Sequence, residues 1–118
     1  MSLYESDQLR VRAEAGHDGL TVRFEGRSDR RHPAAVLQPW FEELLPLVSN
    51  QRVHVDFRSF EYMNSSSFMP IFQFLQQATQ SATEVRVTYD AQKDWQRLSF
   101  SSLGALSAGW SNFAIEAQ

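Results

Sequence analysis

Alternating apolar and polar residues predict two strands near the start of the chain. Residues 9–15 and 20–25 each place apolar side chains at every second position, as a strand with one buried face does. Residues 16–19 between them read Gly-His-Asp-Gly, which is typical of a tight turn. We therefore predict a β-hairpin. Its outward positions carry charges and should face water: Arg10, Arg12, Arg23 and Glu25.

The next apolar pattern has helical spacing. Pro33 suits a first helical position, where its missing N–H is not needed. Apolar residues then recur on one helical face: Leu37, Phe41, Leu44 and Val48. Because Pro39 and Pro46 interrupt this segment, we expect a kinked or late-starting helix.

Strands and helices alternate through the rest of the chain. Segments 52–58, 84–89 and 110–116 have strand character, and 68–78 and 93–106 have helical spacing. The predicted core face of the helix over residues 68–78 is Phe68, Ile71, Phe72, Leu75 and Ala78. That of the helix over residues 93–106 is Trp95, Leu98, Ser102 and Leu106. The order β-β-α-β-α-β-α-β predicts an α/β fold, with helices packed on a mixed, mostly parallel sheet and residues 1–118 forming one domain.

Composition narrows the chemistry. The chain has no cysteine, which excludes disulfides, thiol chemistry and cysteine-ligated zinc. His17, His32 and His54 lie in different segments without metal-site spacing, so we expect no metal and no cofactor. The net charge of −3 is interspersed, and this predicts neither nucleic-acid nor membrane-surface binding. We find neither a signal peptide nor a segment of transmembrane length, and therefore expect a cytoplasmic protein.

The most distinctive stretch places Ser65, Ser66 and Ser67 where a predicted helix begins. One serine can cap the helix, which leaves at least one hydroxyl without that role. The N-terminus of the helix would stabilise a phosphate there by only about 0.3–1 kcal/mol. An unpaired charge at an interface with a partner costs roughly 2–5 kcal/mol of binding free energy. Phosphorylation should therefore switch partner binding and leave the fold intact. The alternative is one cap and two solvated loop serines.

Four neighbouring residues are further candidates. Asp56 and Arg58 would orient a phosphate or a partner, although an ion pair at a strand end explains them equally well. Met69 and Phe74 lie off the predicted core face, and we expect them to form an apolar docking patch beside Ser65. In the alternative, a neighbouring loop or the first helix covers them.

Enzyme motifs are missing from the sequence. Gly-x-Ser-x-Gly, Gly-rich phosphate loops and His-Glu-x-x-His are all absent. Ser65, His54 and Asp56 have the residue types of a hydrolase triad, but His54 and Asp56 share one strand face that points away from the loop. We therefore predict that the protein is not an enzyme.

Residues 53–75 resemble the signature of the STAS family, in which a strand ends near Asp and is followed by aromatic/Met-Asp-Ser-Ser-Gly and an amphipathic helix. Asn64 stands in place of the Asp, and Ser65 in place of the serine that a partner kinase phosphorylates in SpoIIAA-type anti-sigma-factor antagonists. Ser66 matches the second serine, and Ser67 replaces the Gly. A related group of bacterial phospho-switch proteins, linked to biofilm and cyclic-di-GMP signalling, carries a similar Asn-Thr-Ser-Ser loop.

This resemblance implies a STAS-like fold with phosphorylation at Ser65, and Ser66 in reserve. Asn64, Ser66 and Ser67 would join Met69 and Phe74 in binding the partner. The implied partners are a serine kinase or anti-sigma-type protein and a phosphatase, acting in transcription regulation. A diguanylate cyclase is the alternative target, and a structural interaction module without phosphorylation is a third possibility.

Overall fold

A computed structural model describes residues 2–118. It contains every predicted element and two additional strands. The strands are β1 (Ser2–Ser6), β2 (Leu9–Gly16), β3 (Gly19–Ser28), β4 (Arg52–Asp56), β5 (Phe60–Met63), β6 (Glu84–Tyr89) and β7 (Phe113–Ala117). The helices are α1 (Ala34–Val48), α2 (Ser65–Ser81) and α3 (Asp94–Leu106).

The strands form one mixed sheet in the order β1-β2-β3-β4-β6-β7. β1, β2 and β3 are antiparallel neighbours, and all later pairs are parallel. The predicted α/β architecture with a mostly parallel sheet is confirmed. The predicted hairpin is also confirmed, because Gly16 pairs with Gly19 and Glu25 with Arg10.

All three helices lie on the same side of the sheet. Inward-facing strand residues such as Val22, Val55 and Val87 join buried residues of the three helices in one hydrophobic core. The opposite face carries mostly polar and charged side chains, and Arg52, Glu84 and Arg86 there are exposed. The molecule therefore has two layers, one of helices and one of sheet, and any site built on the helices lies on one side.

The two strands that the sequence analysis missed are short. β1 alternates half-buried and exposed residues, but its inward side chains include serine, so the segment lacks an apolar alternation. β5 has four residues and pairs with β3 beyond the end of β4. The β3–β5 pairing begins at Gly26 and shifts register directly after it, and the φ of +82° at Gly26 suits glycine. A Cβ at residue 26 would lie 1.8 Å from the Gln8 carbonyl oxygen.

Helix α1 begins at Ala34, directly after Pro33, so of the two alternatives expected, a kink or a late start, the late start is wrong. The four residues of its predicted apolar face are all buried. Pro39 and Pro46 lie inside the helix on its exposed side. The carbonyls four residues earlier, which these prolines leave unpaired, also belong to exposed residues and can be hydrated.

The core face predicted for α3 is right for Trp95, which packs against the core, and wrong for Leu98, Ser102 and Leu106. Leu98 and Leu106 are 68% and 55% exposed. The buried residues are instead Gln96, Phe100 and Leu103, and Phe100 stacks on Tyr89 and lies against Phe57. The apolar stripe of Leu98 and Leu106 is real, but it faces away from the core.

None of the helices within residues 2–118 is both long enough and apolar enough to cross a membrane.

Candidate functional site

Helix α2 begins at Ser65, and its N-cap is Asn64. The Asn64 side-chain oxygen accepts a hydrogen bond from the Ser67 backbone N–H at 3.1 Å. Its amide group donates to the Arg30 carbonyl at 2.7 Å. The expectation that a serine caps this helix is therefore wrong, and the three serines lie inside the first turn rather than in a preceding loop.

Ser67 is completely buried and belongs to a hydrogen-bonded chain. Its Oγ lies 2.6 Å from Asn64 Oδ1, 2.7 Å from Ser28 Oγ and 3.3 Å from the Ser28 carbonyl oxygen. A serine hydroxyl has one proton to donate. The shortest contact indicates that Ser67 donates it to the side-chain oxygen of Asn64. Ser28 then donates its own proton to Ser67. Ser67 is therefore a structural residue, and its predicted place on a partner-binding surface is wrong.

Ser65 and Ser66 are both exposed. In the part of the chain that the structure describes, neither hydroxyl makes a hydrogen bond to another protein atom, in contrast to that of Ser67. Ser66 precedes Pro70 by four residues and so shares its helical face, which borders α1. Ser65 instead lines a groove on the α3 side. The two candidate phosphorylation sites are thus accessible and point in different directions.

The groove beside Ser65 runs between the first turn of α2 and the middle of α3, with a volume of about 450 Å³. We call it the α2–α3 groove. It is lined by Met63, Asn64, Ser65, Phe68, Ser99 and Ser102. None of these side chains carries a charge, so a phosphate on Ser65 would introduce the first charge into the groove.

Met69 and Phe74, predicted together as a docking patch, lie in different environments. Met69 is 51% exposed and follows Ser65 by one helical turn. Phe74 is only 1% exposed and stacks on Phe41 of α1, with ring centroids 4.3 Å apart. The prediction is therefore wrong for Phe74, which the first helix covers. Conversely, Phe68 and Phe72 are only partly buried and stack on each other at the groove side.

Asp56 and Arg58 form an ion-pair network at the end of β4. The Asp56 carboxylate is nearly buried and accepts hydrogen bonds from the Arg58 side chain at 2.9 Å, the Arg58 backbone at 3.0 Å and Arg23 at 3.3 Å. Burial, the largest single influence, raises the pKa of Asp56, but the hydrogen bonds from both arginines outweigh it and hold this pKa well below its ordinary value.

The hydrogen bonds of this network do not extend to the start of α2. Asp56 of β4 pairs in register with Arg23 of β3, and both lie on the sheet face opposite the helices. Among residues 2–118, the side-chain bonds of Arg58 reach Asp56 and Gln118 and none reaches residues 64–67. Of the two explanations offered by the sequence, the structure shows the ion pair at the strand end.

His54 also belongs to the sheet. Its Nε2 lies 2.8 Å from Thr88 Oγ1. Burial, followed by the charge of Arg86, lowers the pKa of His54. No hydrogen bond links Ser65 to His54 or Asp56 in the described chain, so the residue types of a hydrolase triad are not assembled as one. Within the same residues, no group of three or more His, Cys, Asp or Glu side chains could hold a metal ion.

Comparison with known proteins places the fold. No family model and no curated protein matches the sequence. Among solved structures, an anti-sigma factor antagonist from Mycobacterium paratuberculosis matches with a TM-score of 0.64 and 13% identity, over 88% of this chain and 86% of that chain. A chain from the complex of the diguanylate cyclase SiaD with its activator SiaC, from Pseudomonas aeruginosa, matches with a TM-score of 0.66 and 18% identity, over 100% of both chains. The protein therefore has a STAS-like fold.

Proposed function

We propose that this protein is a phosphorylatable interaction switch that binds a regulatory partner when Ser65 is unmodified. The observation that carries the proposal is the contrast among the three serines. Ser67 is locked into the fold, whereas the Ser65 hydroxyl is exposed, uncommitted and placed on an uncharged groove. A kinase can reach Ser65 without disturbing the core. The phosphate that it adds to Ser65 would change the groove from neutral to strongly negative.

A phosphate on Ser65 should affect the binding of a partner much more than the stability of the fold. A phosphate on Ser65 would lie at the N-terminus of α2, where the helix dipole favours it by about 0.3–1 kcal/mol. A partner seated in the groove would instead surround an unpaired charge at a cost of roughly 2–5 kcal/mol. The fold persists and the complex dissociates. In this scheme the protein is a regulator rather than an enzyme, and a serine kinase and a phosphatase in the cytoplasm set its state.

Two partner classes fit this scheme. The likeness to an anti-sigma factor antagonist supports an anti-sigma-type kinase, and through it a role in transcription regulation. The likeness to a chain from the SiaD–SiaC complex, over the full length of both chains, supports a diguanylate cyclase as the alternative target. Asn64 in place of Asp favours the second class, because the biofilm-linked relatives carry Asn at this position.

The test compares wild type with Ser65→Asp, with Ser65→Ala as the uncharged control. Proteins recovered from native cells on immobilised wild type are identified by mass spectrometry, and the recovered partner is then titrated against each variant. We expect Ser65→Asp to raise the Kd at least about 30-fold, the equivalent of 2 kcal/mol, with little change in melting temperature. Ser65→Ala should bind like wild type.

Equal binding by wild type and Ser65→Asp, at equal stability, would remove the switch. The intact mass of the protein from native cells provides a second check, since the proposal requires a form heavier by one phosphate. A complete absence of that form under all growth conditions would favour a structural interaction module. Ser66→Asp tests the reserve site, and Ser65 is supported if only its variant weakens binding.

A further inference from the structure

The outer surface of α3 is unusual because its apolar residues face solvent. Leu98 and Leu106 are the most exposed large hydrophobic side chains in the described chain, at 68% and 55%. Both share a helical face with Ser102, which lines the α2–α3 groove. A helix face that contacted only solvent would be expected to carry polar side chains. Two leucines at this spacing therefore indicate a surface that another molecule covers.

The second wall of the groove has the same character. Met69 is 51% exposed and lies one helical turn after Ser65, which faces the groove. The whole of α2, residues 65–81, contains no charged residue. In α3, Asp94 and Arg97 are the only charged residues, and they pair with each other at 2.9 Å near its first turn. The groove lining therefore carries no charge, and the only charged residues on its two helices are this one ion pair near the start of α3.

The size of this surface argues against a stable homodimer. Side chains of this kind that are half to two-thirds exposed present on the order of 100 Å² each, so Met69, Leu98 and Leu106 provide about 300 Å². A stable interface buries about 800 Å² per partner. A small, uncharged, apolar patch instead fits a reversible contact that a single added charge can break.

We infer that the α2–α3 groove binds an amphipathic helix of the regulated partner, which inserts an uncharged apolar face between Met69 and the Leu98–Leu106 stripe. A helix is the occupant whose side chains match walls that are themselves spaced by helical turns. This inference rests on the proposed switch and specifies its binding surface: the neutral groove requires a neutral contact, and Ser65 lies at its head, where a phosphate would oppose insertion.

The first experiment identifies what occupies the groove. A photo-crosslinking amino acid replaces Ser102 in the full chain, and a control chain carries it at Leu47, an exposed leucine of α1. After irradiation of native cells, the crosslinked peptides are mapped. We expect position 102 to capture a partner segment with helical apolar spacing, and position 47 not to capture it. Three results would overturn the inference: crosslinks only to a second copy of this chain, crosslinks only to a charge-rich segment, or as much crosslinking at position 47 as at position 102.

The second experiment measures affinity with the mapped segment as a synthetic peptide. Leu98→Gln/Leu106→Gln should weaken its binding at least tenfold, while the matched surface change Leu47→Gln should not. Glutamine is a good helix former, and all three leucines are exposed, so the fold should be retained; circular dichroism checks this. Unchanged affinity in the double variant would sink the groove assignment.

The two proposals can fail separately. If Leu98→Gln/Leu106→Gln weakens binding but Ser65→Asp does not, the groove is the docking site and the phosphorylation switch is wrong. If Ser65→Asp weakens binding but the double variant does not, the switch stands and the partner binds elsewhere.

Discussion

Asn64 and Ser67 each replace a residue of the STAS signature, and the structure shows that they act together. The Asn64 side chain has both an acceptor, which Ser67 uses twice, and a donor, which binds the Arg30 carbonyl. An aspartate could provide only the acceptor. Ser67 provides a hydroxyl that glycine would lack, and this hydroxyl links α2 to Ser28 at the end of β3. The two departures therefore tie the candidate switch helix to the sheet.

Removing the Asn64 side chain should destabilise this helix start. We expect Asn64→Ala to lower the free energy of unfolding by about 0.5–2 kcal/mol, as loss of an N-cap does. Asn64→Asp should cost less because it keeps the cap and loses only the donor to Arg30. Urea denaturation measures both. An equal loss in the two variants would show that the bond to Arg30, not the cap, provides the stabilisation.

Phe74 and Met69 offer a direct test of which α2 residues belong to the core. Phe74→Ala should lower the free energy of unfolding by about 3–5 kcal/mol, because it leaves a cavity against Phe41. Met69→Ala removes a half-exposed side chain and should change stability by no more than about 0.5 kcal/mol. Thermal or urea unfolding checks both. A stable Phe74→Ala protein would contradict the burial of this ring.

The sequence located the candidate site but did not show the role of each side chain in it. The run of serines at a helix start was visible, yet hydrogen-bonding capacity alone could not show which serine is buried. That depended on Ser28, which is distant in sequence. Phe74 was missed for a similar reason, since the α1–α2 contact widens the apolar face of α2 beyond the stripe that packs on the sheet.

Among the elements, α3 shows how helical periodicity can indicate the wrong face. The Leu98–Leu106 stripe has the expected spacing, but the core side of the helix contains a buried glutamine. Gln96 donates two hydrogen bonds of 2.7 Å, to the Phe57 and Phe60 carbonyls, and accepts one of 2.8 Å from the Asp90 backbone. A polar residue with all three bonds satisfied is as well suited to the interior as leucine, and the hydropathy pattern does not distinguish it.

Gln96 joins three segments: α3, the turn between β4 and β5, and the end of β6. Gln96→Leu would remove all three of these bonds; the Phe57 carbonyl would keep only the Phe60 N–H, and the Phe60 carbonyl and the Asp90 N–H would lose their bonds to Gln96. We expect a loss of about 2–4 kcal/mol in the free energy of unfolding. Hydrogen exchange should show faster exchange around the turn at residues 57–60. If Gln96→Leu were as stable as wild type, these bonds would not hold the turn.

In the molecule as a whole, the charged face of the sheet makes stability depend on pH through Asp56. Its native pKa lies below that of the unfolded chain, so the ionised carboxylate stabilises the fold at neutral pH. This contribution is fully present above the unfolded pKa, near 4, and is lost as pH falls towards the native pKa. Hydrogen bonds to charged groups contribute about 1.5–3 kcal/mol, and partial exposure of both arginines places Asp56 at the low end.

Asp56→Asn should therefore be about 1.5 kcal/mol less stable than wild type between pH 7 and pH 5. The difference should shrink below about pH 4, because the Asp56 carboxylate of the unfolded wild-type chain then takes up a proton while the native one stays ionised. Urea denaturation at a series of pH values from 7 to 2.5 measures this. A difference that stays constant down to pH 2.5 would show that the charge of Asp56 contributes nothing to stability.

The architecture could be predicted from the sequence because its main strands and helices each have a clear period. β1 and β5 could not, because β1 lacks an apolar alternation and β5 is only four residues long. The placement of all helices on one side also escaped prediction. That placement puts Asp56 and Arg58 on the uncovered face, away from the serines beside which the sequence had grouped them.

Pro70 bears on how a kinase would reach Ser65 in the proposed switch. Proline has no backbone N–H, so the Ser66 carbonyl four residues earlier lacks its usual partner within the helix. The serine run thus lies in a turn with one restraint fewer than the turns that follow. An enzyme that must enclose the Ser65 hydroxyl would unwind this end of α2 more easily than an unbroken helix, and the buried tether at Ser67 would let it re-form in the same place.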